Sequence, residues 1–287
     1  IVTPNGKKKG WIWESVKEKY TIENHYGDNY KSDVVSAHAH GVNGVYYEGY
    51  DFNDIERSIY KKDRQLACWM RCIRLMCPFN NERHIKFWND QANVNLPVLA
   101  LATLELPDTP IAFSYRDCYN WHKLYEAMTG KQGYRLNVSR KMYLSPNEHF
   151  KKYMNFVKDI GATIVDMQGK GKSILSFYEG NPPSTLYIGG KTPEYITQLV
   201  QYNTKSMEKH NCFEEGPVVD FNEHGPIQGA NDHPADVADI HKKAGQAAVR
   251  YIDNFKFKPN NDLLLELVKL YDTSNFTNKN VSWAKFN

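Results

Sequence analysis

No apolar run in this chain reaches the roughly 18 residues that a membrane-crossing helix requires. Cysteine is scarce and unpaired in number: five in 287 residues, with no repeated short spacing. A secreted disulfide framework uses an even set, so reduced thiols in a cytosolic or organellar-matrix compartment are expected, the mitochondrion first. Secretion is the alternative, because three glycosylation sequons begin at Asn137, Asn275 and Asn280. Charge of one sign is also lacking. Lys and Arg total 36 against 33 Asp and Glu, a net of +3, which is too small to argue for nucleic acid alone. There is no internal repeat to suggest a solenoid and no low-complexity linker to divide the chain. An initiator methionine is absent, and a processed product or fragment is expected from the start at Ile1.

What remains is the composition of a globular protein, 41% hydrophobic and 24% charged, long enough to bury a substantial core. Residues 1–52 are rich in Gly, Asn and aromatics. They are expected to form an extended arm with one short strand, Val34–Ala37, whose Trp11, Trp13, Tyr20, Tyr26 and Tyr30 need a surface to cover. Residues 53–91 form an amphipathic helical segment. Asn53 and Glu56 have capping-box spacing, and Ile55, Ile59, Leu66, Met70 and Ile73 recur at helical steps, so one long helix to Pro78 is predicted. Its outer side carries Arg57, Lys61, Lys62, Arg64, Arg71 and Arg74, a face suited to solvent or, less directly, to an acidic partner or RNA.

From residue 92 to 287 strand-like and helix-like runs alternate, which predicts a single three-layer-like α/β domain. Strands are expected at 98–104, 111–115, 163–167, 174–178, 185–188 and 218–221. Helices are expected at 119–128, 147–160, 193–209, 237–254 and 261–271, with Gly130 and Gly161 placed as C-terminal caps. Both chain ends are polar and of a kind that frays unless held, so other protein subunits are expected to dock on the N-terminal arm and the C-terminal tail.

Chemistry-bearing residues concentrate in Gly216–His241, which holds Asp220, Glu223, His224, Asp232, His233, Asp236, Asp239 and His241 behind an apolar strand. A loop after a buried strand is where α/β proteins place functional side chains. Upstream, His38 and His40 form an HxH pair. In an extended segment residues i and i+2 point to one face, so the two imidazoles, with Asp232 and His233, could grip one divalent ion such as zinc. This strand-borne HxH with a late loop Asp resembles the ligand plan of amidohydrolase-like metal-dependent hydrolases. No cofactor is expected otherwise.

The sequence Pro217–Asp220 followed by Asp232-His233-Pro234 and an Ala-rich helix resembles the final Asp–His block of SGNH-type esterases. That resemblance implies a nucleophile on the turn after an early strand. Here the turn is Ser114-Tyr115-Arg116-Asp117-Cys118, with Cys118 in place of serine. Gln65-Leu66-Ala67-Cys68-Trp69 resembles the Cys–Trp step of papain-like proteases, but at mid-helix, where core packing explains it. Gly169-Lys170-Gly171-Lys172-Ser173 lacks the earlier glycine of a phosphate loop, with Asp166 in that position, and is expected to be a hairpin turn. Each motif lacks an essential member. The expected function is therefore an accessory subunit of a large, mitochondrial assembly on an enzyme-like fold without intact catalytic machinery; the alternative is a hydrolase acting through Asp232 and His233.

Overall fold

The computed structural model describes residues 4–46, 51–191, 193–204, 207–211, 213–231 and 233–274. They fall into two compact units, Ile1–Asp54 and Ile55–Asn287.

In the first unit, short helices α1 (Pro4–Lys9) and α2 (Trp11–Lys17) precede strand β1 (Asn24–Gly27), a π-helical turn Tyr30–Val35, α3 (Ser36–Ala39) and strand β2 (Asn43–Tyr46). β1 and β2 pair in parallel. The expected irregular arm is thus largely helical, and Val34–Ala37 is helix rather than strand. A small core explains this: Ile12, Trp13, Ala37 and Val42 pack together, and Val34 is buried beside the buried Asp33. Asp33 accepts from Lys7 Nζ at 2.7 Å and from the Asn29 amide at 3.0 Å, with His25 Nε2 at 3.2 Å. Burial works to raise its carboxyl, but these bonds outweigh it and hold the group below its usual value. Trp13 enters the core, whereas Trp11, Tyr20, Tyr26 and Tyr30 are each more than half exposed.

The second unit begins with α4 (Asp54–Tyr60), α5 (Arg64–Leu75) and α6 (Glu82–Asp90). The single long helix predicted over 53–77 is two helices, because Asp63 caps α5 through the Leu66 amide at 2.9 Å and so ends the first run. Arg74 folds back as a bidentate partner of the fully buried Glu56, 2.6 and 3.0 Å, locking α5 onto α4. With Lys62 on Glu266 and Arg64 over the Tyr60 ring, part of the basic face is used within the protein.

A π-helical turn, Gln91–Asn95, leads into α7 (Leu96–Leu104). Residues 98–104 were expected as strand. An all-apolar run has no amphipathic period to separate strand from buried helix, and α7 is buried along its whole length but for its last residue.

The α/β core follows: β3 (Ile111–Ser114), α8 (Tyr115–Thr129), β4 (Tyr134–Leu136), α9 (Arg140–Leu144), α10 (Glu148–Asp159), β5 (Thr163–Gly169), α11 (Lys172–Phe177), β6 (Thr185–Gly190) and β7 (Thr197–Gln198). These strands make one parallel sheet in the order β4-β3-β5-β6-β7. In chain order that is 2-1-3-4-5, the arrangement of doubly wound open sheets, with its switch point between β3 and β5. Ala112, Leu136, Ile164 and Tyr187 pack toward Met142 of α9, Phe150 and Met154 of α10 and Ile174 of α11. Phe113, of opposite pleat, packs on Trp121 and Tyr125 of α8. Helices therefore cover both faces, and the three-layer expectation holds. Gly130 and Gly161 close α8 and α10 at positive φ, as expected of C-terminal caps.

Two further expectations fail in this region. Residues 174–177 belong to helix α11 and Tyr178 follows its end, so the expected strand is absent there; the apolar side chains fill one side of the α9–α11 layer. The described residues of 193–209 hold no long helix. Leu199 and Val200 donate to the β6 carbonyls of Tyr187 and Ile188, so sheet pairing overrides helical propensity, and only a 3-10 turn at Glu208–Asn211 follows. A hairpin, β8 (Val218–Asn222) and β9 (Gly225–Gln228), then α12 (Ala235–Arg250) and α13 (Asn261–Leu270), complete the unit.

Candidate functional site

Side chains at the carboxyl ends of β3 and β5 meet at the switch point, where open α/β sheets usually bind ligands. β3 ends at Ser114, and the chain enters α8 through Tyr115, Arg116, Asp117 and Cys118 with a local kink at Cys118 (φ −102°, ψ 15°). The Arg135 guanidinium of β4 lies 3.3 Å from the Tyr115 ring centroid and pairs with Glu215. Phe213 packs edge-on to Tyr115 and stacks on Tyr119 at 4.0 Å. This cation–aromatic group roofs the ends of β3 and β4. Burial pushes the Tyr115 phenol up to about 12.

Cys118 stands where the esterase resemblance requires a nucleophile, but it is fully buried, with its thiol 3.8 Å from the Val165 carbonyl. Burial, reinforced by the nearby Asp166 and Asp117 carboxylates, raises the thiol well above its usual value. A protonated, enclosed thiol is a poor nucleophile.

The carboxyls here escaped the sequence reading, which took Asp166 only as a failed phosphate-loop position. Burial raises Asp166 well above the carboxylate range, and Asp117 adds to the effect. Burial likewise raises Glu208 on the 3-10 turn, with Asp117 adding and Arg116 and Arg140 opposing. The Asp166 shift has a measurable consequence. An unfolded chain releases this proton near pH 3.8, whereas the folded protein retains it, so the folded state binds more protons and loses stability as pH rises through the folded value. Asp166→Asn is therefore expected to gain stability over the parent at about pH 8 but not at about pH 4, as read by urea unfolding. A difference independent of pH would contradict it.

Segment 216–241 does not assemble into one site, because a hairpin and a helix send its side chains to different faces. Asp220 on β8 accepts from Asn147 Nδ2 at 2.9 Å, while Glu223 and His224 occupy the exposed β8–β9 turn. Asp236 pairs with Arg83 at 2.5 Å and His84 at 3.2 Å, and Asp239 with Lys243 at 2.7 Å. His241 is buried in α12, its carbonyl accepting from Asn120. His233 sits half-buried before α12, its amide bonded to Asn231 Oδ1 at 3.0 Å; Asp232 lies outside the described residues.

His38 and His40 do not form the expected one-face pair. They lie on and just after α3, where residues two apart diverge around the helix. His40 is held by its Nδ1 at 2.7 Å from the Ser36 carbonyl and packs over Gly10, while His38 lies 3.4 Å from Asn43 Oδ1. Among the described residues no group of three or more His, Cys, Asp or Glu is arranged to hold a metal. The residues that are described do not fit the proposed zinc plan.

Helix α11 does follow Gly169-Lys170-Gly171, correcting the hairpin expectation. Its approach is filled, however: Ile196 packs so tightly on Gly171 that an added Cβ would meet Ile196 Cδ1 at 1.9 Å. Cys68 lies within α5, beside Trp69, which donates to the Ala248 carbonyl at 3.0 Å; this is core packing, as expected.

No family model and no curated protein matches this sequence. Fold and site together define an open, doubly wound parallel α/β protein. Among the described residues no helix is long and apolar enough to cross a membrane.

Proposed function

We propose that this protein is an accessory subunit of a large multiprotein assembly in the mitochondrion, built on an enzyme-like α/β fold whose catalytic positions serve packing. The observation that carries this reading is Cys118: this thiol at the switch point is fully buried against the Val165 carbonyl and held protonated. The Tyr115–Arg135–Phe213 roof and the Ile196 contact support it, since each fills space that a substrate or phosphate would need. Partner subunits engage the N-terminal unit, where Trp11, Tyr20, Tyr26 and Tyr30 leave more aromatic surface in water than its small core retains. Cys68, Cys72, Cys77 and Cys118 are free thiols, consistent with a reducing matrix. In native extract the chain is expected to migrate far above the mass of one 287-residue polypeptide, and Tyr26→Ser with Tyr30→Ser to release it. A stable monomer in native extract would sink this reading.

One observation favours the hydrolase alternative: Cys118 does stand at the switch point, at the start of the helix after the first strand of the sheet. Brief alkylation with iodoacetamide and peptide mass spectrometry separate the two. Exposed Cys72 is expected to be labelled and Cys118 protected until the protein is unfolded. Rapid native labelling at Cys118, with loss of ester hydrolysis, would instead establish the nucleophile.

A further inference from the structure

The chain is close to neutral overall, but its cations are unevenly placed. Residues 131–172 hold nine Lys and Arg against three Asp and Glu, a net of +6 in a chain of +3. Four of the nine are engaged: Lys131 with Asp108, Arg135 with Glu215, Lys151 with Glu148, and Lys158 over the Tyr178 ring. Arg140, Lys141, Lys170 and Lys172 are exposed and, among the described residues, make no ion pair. They belong to one surface. Arg140 and Lys141 open α9, and Lys170 and Lys172 flank the start of α11. The two helices pack through Met142 and Ile174 and through the Tyr143 and Phe177 rings, 5.8 Å apart. Beside them stands Tyr195, 53% exposed, next to the Ile196 that packs on Gly171 between the two lysines.

Uncompensated cations are unfavourable to gather unless an anion meets them; Glu208 acts on Arg140 electrostatically without pairing with it. We infer that the α9–α11 surface binds the phosphodiester backbone of single-stranded nucleic acid. Arg140, Lys141, Lys170 and Lys172 contact phosphates, and Tyr195 offers an aromatic face for a base. Cations tracking a backbone beside an exposed ring are the two elements of sequence-tolerant single-strand binding. An acidic polypeptide would satisfy the charges but would leave the ring without a role. This surface is separate from the basic face of α4 and α5, part of whose cations is used internally. The inference does not depend on the subunit reading, since it rests on this charge arrangement alone.

The test is fluorescence anisotropy of the full chain with labelled oligouridine and oligothymidine, from low to physiological salt. Four phosphate contacts predict that the logarithm of the association constant falls with the logarithm of salt at a slope of about −3. Arg140→Glu with Lys172→Glu is expected to weaken binding about tenfold or more at low salt. Lys131→Glu, at a residue already paired, is expected to change it little, and Glu208→Gln to strengthen it. Circular dichroism confirms that each variant is folded. Absence of binding at low salt by folded protein overturns the inference. So does displacement by polyglutamate as effective as that by unlabelled oligonucleotide, which would make the occupant an acidic protein segment.

Discussion

Glu56→Ala is expected to destabilise the Ile55–Asn287 unit by about 3–5 kcal/mol, because it breaks the bidentate ion pair that a largely buried guanidinium makes with an enclosed carboxylate. Glu56 is fully enclosed and the Arg74 side chain is 14% exposed, so water cannot replace the lost carboxylate well. Both Arg74 nitrogens in the pair, Nε and Nη2, lose their acceptors together, at 2.6 and 3.0 Å. For a unit of this size such a loss lowers Tm by roughly 6–20 °C. Thermal unfolding followed by circular dichroism measures it. Replacing the pair together, Glu56→Leu with Arg74→Met, is expected to recover most of the loss, since a well-packed apolar pair is often as stable as a buried ion pair. If the double variant is no better than Glu56→Ala, the deficit comes from backbone packing of α4 rather than from loss of the ion pair.

Asn95→Leu is expected to remove about 3–4 kcal/mol, despite being close to isosteric, because it deletes the buried amide that joins Gln91, His210, Asn211 and Tyr271 in one hydrogen-bond network. Asn95 is inaccessible to solvent at the end of the π-helical turn before α7. The two hydrogens of its Nδ2 are shared among three acceptors, Gln91 Oε1 at 2.8 Å, Asn211 Oδ1 at 3.0 Å and the His210 carbonyl at 3.1 Å. Its Oδ1 accepts from the Tyr271 hydroxyl at 2.6 Å and from Asn211 Nδ2 at 2.9 Å. The network ties α13's end and the 3-10 turn Glu208–Asn211 to α7, so it also positions Glu208 beside the switch point. Urea unfolding reports the stability loss. Hydrogen exchange is expected to show faster amide exchange at residues 207–211 than at α10, which the network does not touch. Uniform loss of protection would mean that Asn95 sets global stability alone.

How much of this was legible in the sequence follows from which signals survive without tertiary context. Helices α10, α12 and α13 carry a polar face and an apolar face, so periodicity located them, and Gly161 marked the end of α10. Strands β3, β5 and β6 are short apolar runs bounded by turns and were equally clear. Helix α7 was not, because burial on every side erases the amphipathic signal that distinguishes helix from strand. Residues 193–209 looked helical until Leu199 and Val200 found hydrogen-bond partners on β6.

The candidate site divides in the same way. Cys118 was recognisable as the group after the first core strand, but its enclosure beneath Val165 was not. The richest run of ionisable residues, 216–241, drew attention through composition, yet the β8–β9 hairpin and α12 disperse it. His38 and His40 diverge because the small core around Trp13 makes their segment helical.

The sequence by itself determined the α/β class, the alternation of core strands and helices, and the basic bias of residues 131–172. These depend on side-chain order and on local backbone preference. Only the tertiary structure decided that Asp117, Asp166 and Glu208 lie near one another, that Glu56 and Asn95 anchor buried polar networks, and that the α9 and α11 region gathers four exposed cations on one surface. Those arrangements depend on which distant segments are brought together, and burial then sets the charge of each group through the solvent it loses.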